Sequence, residues 1–320
     1  IMPSLVGSEM CIRDRSSTVG TFLRLQREAK GPKPTACGTP LRGSQAGKCT
    51  RVTAFEIARI PPSNLPDDAT LIAFRIGDAM HALLQEAMHA MWPDFESEVK
   101  VDCRPLGFDL SGHADGVWML GDDKVVDEYK TQSSFAFGLA KKSNAPKIEH
   151  VQQAAMYALG LGADQIRLVY LAKEGSYRDG AKPGQLLVWR WRMDGPAVEQ
   201  DEHGNDLLDE NGNPSVLFDG QTIEQIGMAE LWRLQAVWDE VKEGVVPARD
   251  VPGFGLVDVP PPYITEKASK GQPWNCRYCW HRDLCAVHPT EAMPVDLASG
   301  TVRANWKPPV DEVEEAGVTL

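Results

Sequence analysis

The stretch Ser111-Gly112-His113-Ala114-Asp115-Gly116-Val117-Trp118-Met119-Leu120-Gly121-Asp122-Asp123-Lys124-Val125-Val126-Asp127-Glu128-Tyr129-Lys130-Thr131 decides the fold. Val117–Leu120 and Lys124–Val126 are strand-like, and Gly121-Asp122 between them is a good two-residue turn, so the stretch reads as a β-hairpin. With that loop, Asp115 falls directly across from Glu128; a three-residue loop would shift the register by one. Val126, Glu128 and Lys130 share a face, because side chains alternate along a strand. Opposed residues on one face have Cβ atoms about 4.5–5.5 Å apart, where like charges repel. Two carboxylates so placed want a cation between them, and a lysine alongside suits metal-assisted attack on a phosphodiester. The plain alternative is a surface hairpin with scattered charges, since Asp and Glu are common beside turns. Acid…acid-x-Lys alone does not decide between the two, so the rest of the chain must.

The chain has 320 residues, enough for one large domain or two small ones with a sizeable core. No apolar run approaches the roughly 20 residues of a membrane span, and no secretory signal peptide is visible. Seven cysteines is an odd number, and three of them crowd into Cys276–Cys285. Clustering of this kind points to metal binding in a reducing, cytoplasmic compartment rather than to a disulfide framework. The formal charge of -12 argues against a generally basic nucleic-acid binder. The acids concentrate in Glu199–Glu210 and in Asp311, Glu312, Glu314 and Glu315, which leaves room for a local basic groove.

Residues 1–17 look foreign: Ile1 is not a natural start, and Pro3–Arg15 resembles translated sequencing-adapter read-through. The chain up to about Lys48 is rich in Gly, Pro, Lys and Arg, a composition of poor order, so residues 1–46 read as an artefactual or disordered arm. Order is expected from Cys49, with helices at Thr53–Arg59, Ala69–Met91, Lys147–Gly160 and Thr222–Gly244. In the second of these Ile72, Ile76, Met80, Leu83, Leu84 and Ala87 lie on or near one face. Thr222-x-x-Gln225 is a capping box. Strands are expected at Glu96–Cys103, Phe108–Leu120, Ile166–Ala172 and Leu186–Met193. Asp201–Pro214 reads as an exposed excursion whose Asp209-Glu-Asn-Gly-Asn run lacks the ligand spacing of a calcium loop. There is no internal repeat, and residues 291–320 read as an acidic disordered tail.

Helix Ala69–Met91 carries His81 and Gln85, four apart and so on one face. A lone helical histidine is most often structural, but this one precedes an acid hairpin and can supply a nitrogen ligand beside the carboxylates. Helix Lys147–Gly160 carries Gln153 and Tyr157, again four apart, with His150 one turn earlier. An ordinary amphipathic helix would give the same pattern; as partners of a site, an amide and a phenol would hydrogen-bond a phosphate or hold Lys130 and its water. Cys276-Arg-Tyr-Cys279-Trp-His-Arg-Asp-Leu-Cys285 puts three thiols in one short run, and a soft tetrahedral site wants four. Cys49 stands where order begins and is the leading candidate for the fourth; Cys37 lies in the presumed arm, and His281 could instead complete a zinc site.

Taken in order, His81, Gly112-x-x-Asp115-Gly, Glu128-x-Lys130-Thr, Gln153-x-x-x-Tyr157 and Cys-x2-Cys-x5-Cys resemble the RecB-like branch of the PD-(D/E)XK nuclease superfamily. More narrowly they resemble its iron–sulfur members, which include the AddB nuclease domain and the CRISPR-associated RecB-like exonucleases. The resemblance covers about Cys49 to Cys285. It implies that His81, Asp115, Glu128 and the backbone carbonyl of Tyr129 hold Mg²⁺ or Mn²⁺, and that Lys130 orients the attacking water. It implies further that Gln153 and Tyr157 position DNA and support the site, and that Cys49, Cys276, Cys279 and Cys285 bind a [4Fe–4S] cluster, with zinc as the alternative occupant. The excursion at Asp201–Pro214 and the long helix at Thr222–Gly244 depart from the stand-alone CRISPR-associated pattern, and no helicase motif is visible.

The expectation is therefore an α/β, restriction-endonuclease-like core, with a mixed central sheet flanked by helices and a cysteine-cluster cap joining the N- and C-terminal ends, over residues 47–290. The function expected is a metal-dependent DNA exonuclease, phage-encoded in one reading, acting on single-stranded or frayed ends and binding no membrane. One alternative is a CRISPR adaptation nuclease trimming spacer precursors, with recombination or adaptation proteins as partners. Another is a non-catalytic DNA-binding or assembly protein stapled by its metal cluster.

Overall fold

A computed structural model describes residues 22–26, 38–201, 204–248, 250–251, 255–256, 276, 279–281, 284–285, 292–297 and 301–302. The expected mixed central sheet flanked by helices is present. Its strands are β1 (Leu41–Arg42), β2 (Glu96–Asp102), β3 (Leu110–Leu120), β4 (Asp123–Gln132), β5 (Gln165–Ala172) and β6 (Leu186–Arg192). The order is β1-β3-β4-β5-β6, with β2 also paired to β3. β3 and β4 form the hairpin that the sequence predicts, closed by Gly121-Asp122 with Gly121 at φ 64°. Their register ends with Gly116 opposite Asp127, which sets Asp115 and Glu128 at the next step. β4 then pairs parallel to β5, and β5 antiparallel to β6.

The helices are α1 (Thr50–Ile57), α2 (Asp68–Met91), α3 (Ser134–Ser143), α4 (Ile148–Leu161) and α5 (Ile223–Lys242). α4 and α5 close the main core, in which Val126, Ile166, Leu168, Trp189 and Trp191 of the sheet meet Val151, Ala155, Ala158, Leu231 and Leu234. The Thr222–Gln225 capping box of α5 is formed as expected. α2 packs on the sheet beside Trp118, Val125 and Tyr129 through Met88.

The structure departs from the sequence reading in five places. Order begins before Cys49: Leu41 is fully buried and β1 pairs parallel to β3, so one apolar residue in a Gly- and Lys-rich stretch is part of the core. α1 starts at Thr50 and stops before Arg59, which sits at φ 56°. α3 was not expected, although its signals are complete: Ser133 accepts the Ala136 N–H, lysines fill the last turn, and Asn144 ends it at φ 48°. α2 meets the sheet with Gly77, His81, Gln85 and Met88, while Ile76 and Leu83 are 46% and 60% exposed. Only part of the expected apolar face meets the sheet: Leu84 packs beside Met88, while Ile76 and Leu83 point to solvent. Finally, Met293–Asp296 is no tail: Met293 pairs with Val246, and Met293 and Val295 join a second core with Phe55, Val237 and Val241.

Candidate active site

The hairpin and two helices bring the candidate residues together. Glu128 is almost fully buried on β4, and Lys130, two residues on, donates to its Oε1 at 2.6 Å. The same ammonium donates to Gln153 Oε1 of α4 at 2.9 Å. Glu128 Oε2 is buried without a hydrogen-bond partner among the described residues. Burial raises the Glu128 carboxyl to about 7; the charge of Lys130 opposes this, and the nearby Asp115 carboxylate adds to it.

Asp115 is fixed from three sides. Its Oδ2 accepts the Tyr129 backbone N–H at 2.6 Å, and its Oδ1 lies 3.6 Å from His81 Nδ1. Its carbonyl accepts from Gln85 Nε2, which also reaches Glu98 Oε1, both at 3.0 Å. Burial disfavours a charge on His81, but the hydrogen bond and charge of Asp115 outweigh it and raise the histidine's pKa. Glu98 stands at φ 53° opposite Asp115 in the β2–β3 ladder, between the pairs Ser97–Gly116 and Val99–Ala114. A bulky residue at positive φ is held there by its surroundings.

Tyr157 of α4 is buried beside the hairpin. The ring is 4% exposed, and it lies against Gly43 and Gly112; a Cβ on either would come well within 3.0 Å of it. Burial and then the charges of Glu128 and Asp115 raise its pKa, while its hydrogen bond with Gln153 acts the other way. His150 bonds to the Tyr170 hydroxyl and is held neutral, well below the usual histidine range, by burial and then by the charges of Lys130 and Lys147.

On the other face of β4, the Asp127 carboxylate accepts from Trp118 Nε1 at 2.9 Å, from the Tyr129 hydroxyl at 2.8 Å and from Arg167 Nε at 2.8 Å. The Arg167 guanidinium lies 4.8 Å from the Trp118 ring centroid and also bonds Met88 of α2. The Tyr129 ring meets the His81 ring edge-on at 6.1 Å between centroids. This buried network ties α2, and with it His81, to the strand that carries Glu128 and Lys130. Nothing in the sequence marks this network, since Asp127 and Arg167 stand 40 residues apart.

Cys49 caps α1, and Cys285 packs against the second core around Phe55. Burial raises the Cys49 thiol, with Cys285 adding to the effect. Burial pushes Cys279 up to about 12, and Cys285, Cys49 and Cys276 each add to it. Cys279 thus lies within electrostatic reach of the other three cysteines. His281 is buried against the Phe55 ring, and its Nδ1 has no hydrogen-bond partner among the described residues. Cys37 lies outside the described residues. Among the described residues, no three His, Cys, Asp or Glu side chains are already drawn together as a metal-binding group.

No family model matches the chain, and no curated protein matches it. Among solved structures, SSO0001 is similar at 12% identity and a TM-score of 0.41, covering 87% of this chain and 97% of its own. The alkaline exonuclease LHK-Exo from Laribacter hongkongensis is similar at 14% identity and a TM-score of 0.34, over 63% of this chain and 91% of its own. Its complex with dAMP gives the same figures. Among the described residues no helix is long and apolar enough to cross a membrane.

Glu98 was not singled out in the sequence, and Gln85 was placed on the His81 face without a role; both bond at this site. The available signal was spacing, because Gln85 follows His81 by one helical turn and must face the same strand.

Proposed function

We propose that the chain is a divalent-metal-dependent deoxyribonuclease that hydrolyses phosphodiesters, as an exonuclease on single-stranded or frayed ends. One observation carries the reading: Glu128 Oε2 is buried and unpartnered among the described residues, on a carboxyl that feels the charges of both Asp115 and His81. A buried acceptor left unsatisfied costs about 1–3 kcal/mol, more when charged. A single ammonium does not offset burial plus a second carboxylate. A hard divalent cation, which takes oxygen ligands, fits that deficit. His81, Asp115, Glu128 and the Tyr129 carbonyl would hold Mg²⁺ or Mn²⁺. There the ion would polarise the phosphoryl oxygen and lower the pKa of a water.

The chain's own part is positioning. Lys130 Nζ, held between Glu128 and Gln153, would donate to the attacking water and to the negative charge that develops on the phosphate. Tyr157 keeps Gln153 in place, and neutral His150 adds no competing charge. Exonuclease action follows from the RecB-like resemblance of the motifs. Cys49, Cys276, Cys279 and Cys285 are proposed as ligands of a [4Fe–4S] cluster, or of zinc. What supports a shared centre is proximity, since the charges of Cys285, Cys49 and Cys276 each act on Cys279.

The test is hydrolysis of labelled DNA with Mn²⁺ by the wild type, Glu128→Gln and Lys130→Ala, alongside calorimetric titration of Mn²⁺. Both variants should lose turnover, and Glu128→Gln should also lose ion binding. Undiminished cleavage by both variants would overturn the assignment.

A further inference from the structure

Beyond Lys130 the sheet carries a ledge made of α3 and the segment 173–184. Lys130 pairs with Tyr170, and two steps on Gln132 pairs with Ala172, after which the Lys173 N–H donates to the Gln132 carbonyl at 2.9 Å. At about 3.3 Å per residue, the ledge begins within roughly 7 Å of the lysine's place on the strand. Helix and segment form one surface. Gly138 lies so close to Asp179 that a Cβ there would meet its backbone carbonyl at 2.7 Å, and Lys141 Nζ donates to the Gly180 carbonyl at 3.2 Å. Ser134 caps this junction by donating from N to Glu174 Oε1 at 3.3 Å.

The charge of this surface is opposite to that of the chain. Residues 134–147 hold three lysines and no acid, and 173–184 hold Lys173, Arg178 and Lys182 against Glu174 and Asp179, within a chain of net charge -12. Lys142, Arg178 and Lys182 are exposed and have no acidic partner among the described residues. Tyr177 is fully exposed, and Phe135, at the end of α3 nearest Lys130, is 59% exposed. Cations spaced among exposed aromatic rings fit a polyanion with unpaired bases, since phosphates meet the cations and any base can stack on a ring. A duplex would offer the phosphates but not the base faces.

We infer that this ledge binds single-stranded DNA and leads the strand to Lys130, with Lys142, Arg178 and Lys182 on phosphates and Tyr177 and Phe135 under bases. The inference rests on the nuclease reading only for the site to which the strand is led.

The experiment uses the full chain carrying Lys130→Ala, a fluorescein-labelled thymidine homopolymer of about 16 nucleotides, and anisotropy across a salt series. Combined Lys142→Ala, Arg178→Ala and Lys182→Ala should flatten the slope of log affinity against log salt by about 2, as loss of three single-strand phosphate contacts requires. Tyr177→Ala should weaken binding about 5- to 150-fold, whereas Lys100→Ala on β2 should change neither quantity. Melting curves confirm that the variants remain folded. Unchanged slope and affinity in the ledge variants would overturn the inference, and so would equal weakening of single-stranded and duplex DNA by Tyr177→Ala. A wild type that binds through the ledge but leaves DNA uncut with Mn²⁺ would sink the nuclease reading and leave the ledge standing. Cleavage with ledge variants that bind like wild type would do the reverse.

Discussion

Lys130 is held by two acceptors of different kinds, a carboxylate on its own strand and an amide on α4. The first forms an ion pair with it and the second sets its direction. Gln153→Ala should therefore lower turnover by about ten- to a hundredfold, the worth of a hydrogen bond to a charged group, with little change in melting temperature; a solvated helix-surface glutamine would change neither. His150 supplies a pH test. Its pKa in the folded chain lies well below the value of about 6.5 expected when unfolded. Between those two values the unfolded chain binds a proton that the folded chain refuses, so its contribution to stability is present above about pH 6.5 and is lost as pH falls. Urea unfolding of the wild type should lose up to about 1.4 kcal/mol per pH unit from this group below that point, and His150→Gln should flatten the profile. An unchanged profile would place the acid-sensitive group elsewhere.

At the scale of elements, the site depends on close backbone approach and on one buried ion pair. Gly112 of β3 leaves room for the Tyr157 ring, so Gly112→Ala must displace either the strand or the ring. Overpacking of this kind costs about 1–3 kcal/mol, and here it should also reduce turnover, because the ring holds Gln153. Arg167→Met should cost more, about 3–5 kcal/mol, since Asp127 would remain buried without its cation; chemical denaturation measures it. The hairpin was legible because a turn dipeptide and strict alternation fix its register. The α2 phase was not, because the apolar stripe and the stripe with His81 and Gln85 compete, and only the sheet decides between them. α3 was legible in its caps, but Gly138 and two lysines diluted its apolar pattern.

Over the whole molecule, α1 and the chain beyond α5 share one small core. Thr50 Oγ1 donates to the Ala248 carbonyl, Arg51 Nε to that of Pro247, and Phe55 shares its core with Met293 and Val295. If Cys49 completes a centre with Cys276, Cys279 and Cys285, anaerobic protein should be brown, and Cys49→Ser should lose the colour and melt earlier, while Cys103→Ser keeps both. A coloured Cys49→Ser protein would point to His281 or Cys37. Met293 in this seam, like Leu41 in the main core, was not legible in the sequence, since a single apolar residue among polar ones carries no periodic signal. The seam also sets a timetable for synthesis. Phe55 leaves the ribosome long before Met293, and at about 5–20 residues per second the delay is roughly 10–50 s. Once Leu161 has emerged, part-way through that interval, β3, β4 and α4 can pair, so the hairpin that carries Glu128 and Lys130 is assembled while α1 still waits uncovered. Nascent chains stalled before Val246 should therefore expose Phe55 to chaperones and proteases, whereas those extended past Val295 should shield it.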